Sequence, residues 1–172
     1  MITASIRRAR LGLLLALAAC ALGATPALAN GPVFTPTQNT PGTLDAGTFC
    51  SFAIDVTFPV NDETMKTFYD SAGNPVRSLN EGRLVVQMVN DSTGKTVQLN
   101  LSGPGQTVYN ADGSQTITFL GNSALFLIQG SQPVLLLTQG RFVSNVPSGS
   151  LTGLGTLVFA AGRQANVCSV LS

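Results

Sequence analysis

Cys50-Ser51-Phe52-Ala53-Ile54-Asp55-Val56-Thr57-Phe58-Pro59-Val60 is the stretch whose reading decides the fold class. Cys50, Phe52, Ile54, Val56, Phe58 and Val60 recur with a period of two, and Ser51, Ala53, Asp55 and Thr57 fill the gaps. A helix would scatter the first set around its axis, whereas a pleated strand gathers it on one face. The stretch therefore predicts a half-buried strand with Asp55 on its polar face.

The same alternation returns along the chain. Leu84, Val86 and Met88 alternate with Val85, Gln87 and Val89; Val97, Leu99 and Leu101 with Gln98 and Asn100; Ile117 and Phe119 with Thr116 and Thr118. Between these runs lie Asp70-Ser71-Ala72-Gly73, Asp91-Ser92-Thr93-Gly94 and Asn110-Ala111-Asp112-Gly113. Each opens on Asx, which caps a turn with its side chain, and closes on Gly, which accepts the left-handed conformation of a hairpin bulge. Ser102-Gly103-Pro104-Gly105 is a tighter break. Further on, Ala124–Ile128 and Val134–Leu137 are apolar without interruption, as strands covered on both faces are. Phe142-Val143, Leu157–Phe159 and Val167–Leu171 complete the set. About ten short strand candidates with short connections predict an all-β fold. The expected architecture is an antiparallel up-and-down β-barrel of about eight to ten strands, with a β-sandwich as the alternative.

Three segments organise the chain. Residues 1–29 have a basic head (Arg7, Arg8, Arg10), an apolar run from Leu11 to Leu22 and an Ala27-Leu28-Ala29 site, the layout of a secretory signal peptide cleaved between Ala29 and Asn30. The apolar run is shorter than the roughly 20 residues that a membrane span needs, so the reading is export without a transmembrane segment. Leu17-Ala18-Ala19-Cys20 offers a second route, lipidation at Cys20 and anchorage to the cell envelope. Arg7-Arg8 carries only a weak twin-arginine signal, because Arg10 stands where that motif wants an apolar residue. Residues 30–47, with Pro32, Pro36 and Pro41, read as a Pro/Thr/Gly-rich linker or loosely docked arm. Residues 48–172 form the β domain.

Cleavage after Ala29 removes three of nine basic residues and no acidic one, leaving six against eight and a net charge of −2. No basic patch remains to neutralise phosphates, which excludes nucleic acid as a partner. After Asp112 only Arg141 and Arg163 are charged. A surface so poor in charge points to a covered face, and the apolar strands from Phe119 to Leu137 are the expected interface of a homo-oligomer. Cys50 and Cys168 remain after cleavage, and an even pair in an exported chain is most simply a disulfide. The alternative, free or metal-bound thiols, lacks a histidine or a neighbouring cysteine to support it.

Val89-Asn90-Asp91-Ser92-Thr93-Gly94-Lys95, then Asn100-Leu101-Ser102-Gly103-Pro104-Gly105, then Asp112-Gly113-Ser114 resemble a group of small exported actinobacterial proteins of unknown function. The likeness extends to Cys50-Ser51-Phe52 and to the closing segment from Gly162-Arg163 to Val167-Cys168, and so covers nearly all of residues 48–172. These are turn and disulfide motifs; they imply a fold and carry no catalytic residues. By strand number alone the chain is also similar to the barrels of allene oxide cyclases and dirigent proteins, an analogy of fold only.

The chain has no histidine, which removes Ser-His-Asp and Cys-His catalysis and ordinary zinc sites. Gly153-Leu154-Gly155 lacks the strand-to-helix setting and the lysine of a phosphate loop. The Asx-rich turns lack the ligand spacing of a calcium loop. Asn90-Asp91-Ser92 and Asn100-Leu101-Ser102 match the glycosylation pattern by chance in a chain of bacterial character. Gly82-Arg83, Gly140-Arg141 and Gly162-Arg163 recur before or within strands and read as strand-entry glycines with exposed arginines, with an anion site as the alternative. Asp62-Glu63 follows Pro59-Val60-Asn61 and reads as a solvated turn. No catalytic, cofactor-binding or metal-binding residue is assigned, and no cofactor is expected. The polar groups expected to meet in a barrel lumen are Asp55, Tyr69, Tyr109, Arg141 and Arg163. The reading is a secreted, non-enzymatic β-barrel that binds a small apolar ligand or serves the cell envelope. The alternatives are a cofactor-free, cyclase-like enzyme built on those five residues, and a homo-oligomeric surface component.

Overall fold

The computed structural model describes residues 31–150 and 153–172. The segment read as a signal peptide, with its expected Ala29–Asn30 cleavage point, and Cys20 lie outside the described residues. Nine strands and one short helix follow in order: β1 (Val33–Thr37), β2 (Gly42–Leu44), β3 (Ile54–Tyr69), β4 (Pro75–Asn90), β5 (Thr96–Asn100), β6 (Gly105–Tyr109), β7 (Gln115–Gln129), β8 (Gln132–Val146), β9 (Thr156–Asn166) and α1 (Val167–Leu171). All strand pairings are antiparallel, and the sheet runs β1-β3-β4-β6-β7-β8-β9 with β2 beside β3 and β5 beside β4. The stretch read as a linker thus carries two strands that pair with β3.

The expected closed barrel does not form: among the described residues β1 pairs only with β3 and β9 only with β8, so the sheet keeps two edges. Instead of closing a cylinder, the Ile54, Val86 and Met88 end of β3 and β4 packs against Leu135 of β8 and against Val167 and Leu171 of α1. Glycines mark close approaches between neighbouring strands. Gly82 has φ +139° and Gly140 has φ +138°, where an L side chain is strained. A Cβ would stand 2.2 Å from the Asp62 carbonyl oxygen at Gly82 and 2.3 Å from that of Ala161 at Gly140. The Gly-Arg pairs therefore sit inside strands and not at their beginnings, while Arg83, Arg141 and Arg163 are exposed.

Two apolar cores result, one on each face of the outer β7–β8 hairpin. Cys50, Ile54, Val86, Met88, Leu135, Val167 and Leu171 form the first; Leu125, Leu127, Leu136 and Phe142 form the second. Neighbours in one apolar run, such as Leu135 and Leu136, enter different cores, as the pleat requires. In the segment from Phe119 to Leu137, the expected interface of a homo-oligomer, Leu125, Leu127, Leu135 and Leu136 are buried within the chain itself. Among its large apolar side chains only Leu120 and Phe126 are exposed, and Phe126 packs edge-on against Phe49 at 5.4 Å.

Cys50 and Cys168 are bonded, with Cα atoms 5.4 Å apart across 118 residues of sequence. Neither lies in a strand. Cys50 precedes β3, and the apolar run Val167–Leu171, expected as a closing strand, is the short helix α1. Asn166 caps it by accepting a hydrogen bond from the Cys168 N–H, and the spacing of Val167 and Leu171 puts both buried side chains on one helix face. The hairpin turns form where expected, but the capping residue is the opening Asx only in the first: in the third, Asp112 Oδ1 and not the Asn110 side chain accepts a backbone N–H, that of Ser114 at 2.9 Å. Asn90, not Asp91, caps the second turn: its Oδ1 accepts from Ser92 N–H at 2.9 Å, and Gly94 N–H closes onto its carbonyl at 2.8 Å.

Candidate functional site

The site begins at Pro59. Between Thr57 and Val60, β3 carries one residue more than the facing segment of β4, from Gln87 to Val85. Proline has no N–H to give to a ladder, and inside a sheet it is found at such bulges. The extra residue inverts the parity of everything after it. Before the bulge Ile54 is the buried side chain; beyond it Glu63 and Thr67 are. Asp62-Glu63 is therefore not a solvated turn. It lies mid-strand, with Asp62 outside and Glu63 inside at 7% exposure.

Across the ladder Glu63 faces Gly82, whose missing side chain leaves room for it. A Cβ on Gly82 would lie 2.6 Å from the Glu63 Cα. Both carboxyl oxygens of Glu63 accept hydrogen bonds from amides. Asn80 Nδ2 donates to Oε1 at 3.1 Å and Asn39 Nδ2 donates to Oε2 at 3.2 Å. The amides are themselves held in place. Thr37 Oγ1 donates to Asn80 Oδ1 at 2.8 Å, and Asn61 Nδ2 donates to the Asn39 carbonyl at 2.8 Å while Asn39 Nδ2 also reaches Asn61 Oδ1. Thr37 and Asn39 come from the N-terminal arm, so that arm is part of the site. Deeper along the same face, Thr67, Ser78 and Tyr109 form a hydroxyl chain with O···O distances of 3.0 and 3.1 Å.

Glu63 lines a half-open cavity of about 310 Å³. Asn39, Ser78, Asn80, Gln106 and Thr107 share its polar side, and Met65, Leu84, Leu101, Ile117 and Phe119 its apolar side. A second, more open cleft of about 510 Å³ lies between β5 and the β8–β9 pair, with Gln98, Asn100, Asn122, Gln139, Arg163 and Gln164 around it. Among the described residues no group of three His, Cys, Asp or Glu side chains is gathered as a metal site would require.

The structure does not join the five polar groups expected in the lumen. Asp55 does not line the cavity and accepts a hydrogen bond from Thr43 Oγ1 at 2.6 Å. Tyr69 is exposed at the end of β3, and Arg141 lies exposed over the Phe159 ring at 5.3 Å. Arg163 borders the outer cleft. Tyr109 alone reaches the polar interior, through Ser78. Sequence reasoning missed Glu63, Asn39 and Asn80. The one signal that pointed to them was Pro59, a proline inside a stretch that otherwise reads as a regular strand. In comparisons with known proteins the chain matches no family model, no curated protein and no solved structure.

Proposed function

We propose that this is an exported binding protein that holds a small molecule in the cavity beside Glu63 and performs no chemistry on it. The observation that carries this reading is the cavity itself. Its volume falls at the lower end of the range of small-molecule sites, and most of its wall comes from β3, β4, β6 and β7. The apolar half of the lining fits the apolar body expected of the ligand; the polar half asks for a polar group on it. The Cys50–Cys168 bond supports an oxidising, non-cytoplasmic compartment, and the leader-like segment with its Ala29–Asn30 site supports secretion, with anchorage through Cys20 as the alternative. The cyclase-like alternative lacks support, because the residues it required are dispersed.

The test is a fragment screen of the purified, disulfide-bonded protein by methyl and amide NMR. Binding in the cavity moves the signals of Met65, Leu84, Leu101 and Ile117 together. Gly105→Val is the control. Gly105 lines the cavity, and a Cβ there meets only Asn80 Cβ at 3.8 Å, so the added side chain enters the empty space without disturbing the backbone. Expected is saturable binding that Gly105→Val abolishes. Shifts scattered over the surface, or binding unchanged by Gly105→Val, overturn the reading.

A further inference from the structure

We infer that the ligand is an organic cation, a primary ammonium group on an apolar body, with Glu63 as its counter-ion; this rests on the cavity being a ligand site. A carboxylate 93% removed from solvent is costly to desolvate unless it is paired, and buried carboxylates in proteins normally meet Arg, Lys or a metal. Glu63 meets none of these. Its partners are the neutral amides of Asn39 and Asn80, and no Lys or Arg lies within ion-pair distance of it among the described residues.

The sheet explains the vacancy. The nearest cations on β3 and β4 project from the opposite face. Lys66 and Arg77 lie over the ring of Phe68, and Arg83 is exposed beside Gly82. The two amide donors are oriented by Thr37 and Asn61 so that they hold the carboxyl group in place without neutralising it. The cavity thus presents one fixed negative group with no positive partner of its own. Glu63 is the one acidic side chain of the cavity lining, so the site carries a single negative charge, which matches a monovalent cation better than a divalent metal ion. An alkylammonium ion satisfies both halves of the lining. Its N–H groups bond to the Glu63 oxygens, with Ser78 and Thr107 as neighbouring hydroxyl acceptors, and its hydrocarbon body lies against Leu84, Leu101 and Ile117.

Hexylamine and hexanol are matched probes for calorimetric or NMR titration at equal ionic strength. The wild-type protein is expected to bind hexylamine on the order of tenfold or more tightly than hexanol, since a hydrogen bond to a charged group exceeds a neutral one by that factor. Glu63→Gln is expected to remove the preference. Equal binding of the two probes by the wild-type protein overturns the assignment of the ligand class while leaving the cavity as a binding site. A preference that survives in Glu63→Gln also overturns it. Binding of neither probe overturns the assignment, while the binding function itself stands or falls on the fragment screen. The wild-type comparison stands by itself if Glu63→Gln does not fold.

Discussion

A methyl group at position 82 would have nowhere to go. It would press into the backbone of Asp62 and Glu63, and the residue would also hold a φ of +139°. Gly82→Ala is expected to cost about 3 kcal/mol or more in a denaturant titration, combining backbone strain with a clash that only a shift of β3 relieves. Gly73 is the control: it too has positive φ, +84°, but a Cβ there meets nothing within 4 Å. Gly73→Ala is expected to cost only about 1 kcal/mol, the left-handed penalty by itself. Equal costs would contradict the close approach at Glu63. The turn aspartates are a separate residue-scale matter. The N–H and then the side-chain amide of Asn74 hold the Asp70 carboxyl below its ordinary value of 3.8, and the Ser114 hydroxyl and N–H do the same for Asp112. Because each carboxyl is more acidic folded than unfolded, its contribution is complete above about pH 3.8 and is lost as pH falls through the lower folded value. Carboxyl-carbon NMR should place both midpoints below 3.8; a midpoint at or above it would show that the turn bonds are absent in solution.

At the scale of elements, the N-terminal arm is the least expected contributor. Asn39 and Thr37 brace the carboxyl group of Glu63 directly or through Asn80. Asn39→Ala is expected to cost about 1–2 kcal/mol, because a buried carboxyl oxygen loses its donor. A neutral effect on the denaturation midpoint would mean that the arm does not dock. Composition hid this role. Three prolines, with threonines and glycines, describe a linker and an edge strand equally well, and only the pairing of Val33–Thr37 with Glu63–Thr67 separates them. What was legible in the sequence was legible for local reasons. Asx and glycine fixed the turns at Asp70–Gly73 and Asn110–Gly113, and the alternation of Leu84, Val86 and Met88 marked β4. Parity beyond Pro59 was not legible, because a bulge is a relation between two strands and only one of them is visible in a local pattern. The helix α1 was missed for a similar reason: Val167 to Leu171 is apolar throughout, so the period said nothing, and Asn166 as a cap was the only cue.

For the whole molecule, the disulfide and the two cores set the frame in which the cavity stays open. The bond links Cys50, at the foot of β3, to the helix that closes the chain, and all three meet in the first core. Its loop is long, so replacing both cysteines by alanine is expected to lower stability by about 3–5 kcal/mol, read as a drop in the denaturation midpoint. A change under about 1 kcal/mol would show that α1 is held by packing alone. Glycines in the middle of β4 and β8 let neighbouring backbones approach closely, and the first core packs Ile54, Val86 and Met88 against Leu135 and the helix. The cavity lies among residues of β3, β4, β6 and β7. All of this turns on the inversion of β3 at Pro59, and the register of β3 against β4 reports it directly. In cross-strand NOE spectra of the native protein, Thr57 should pair with Gln87 and Glu63 with Gly82, a step of one residue between the two pairs. Glu63 paired with Glu81, the register of an unbulged strand, would contradict the inversion and remove the site with it.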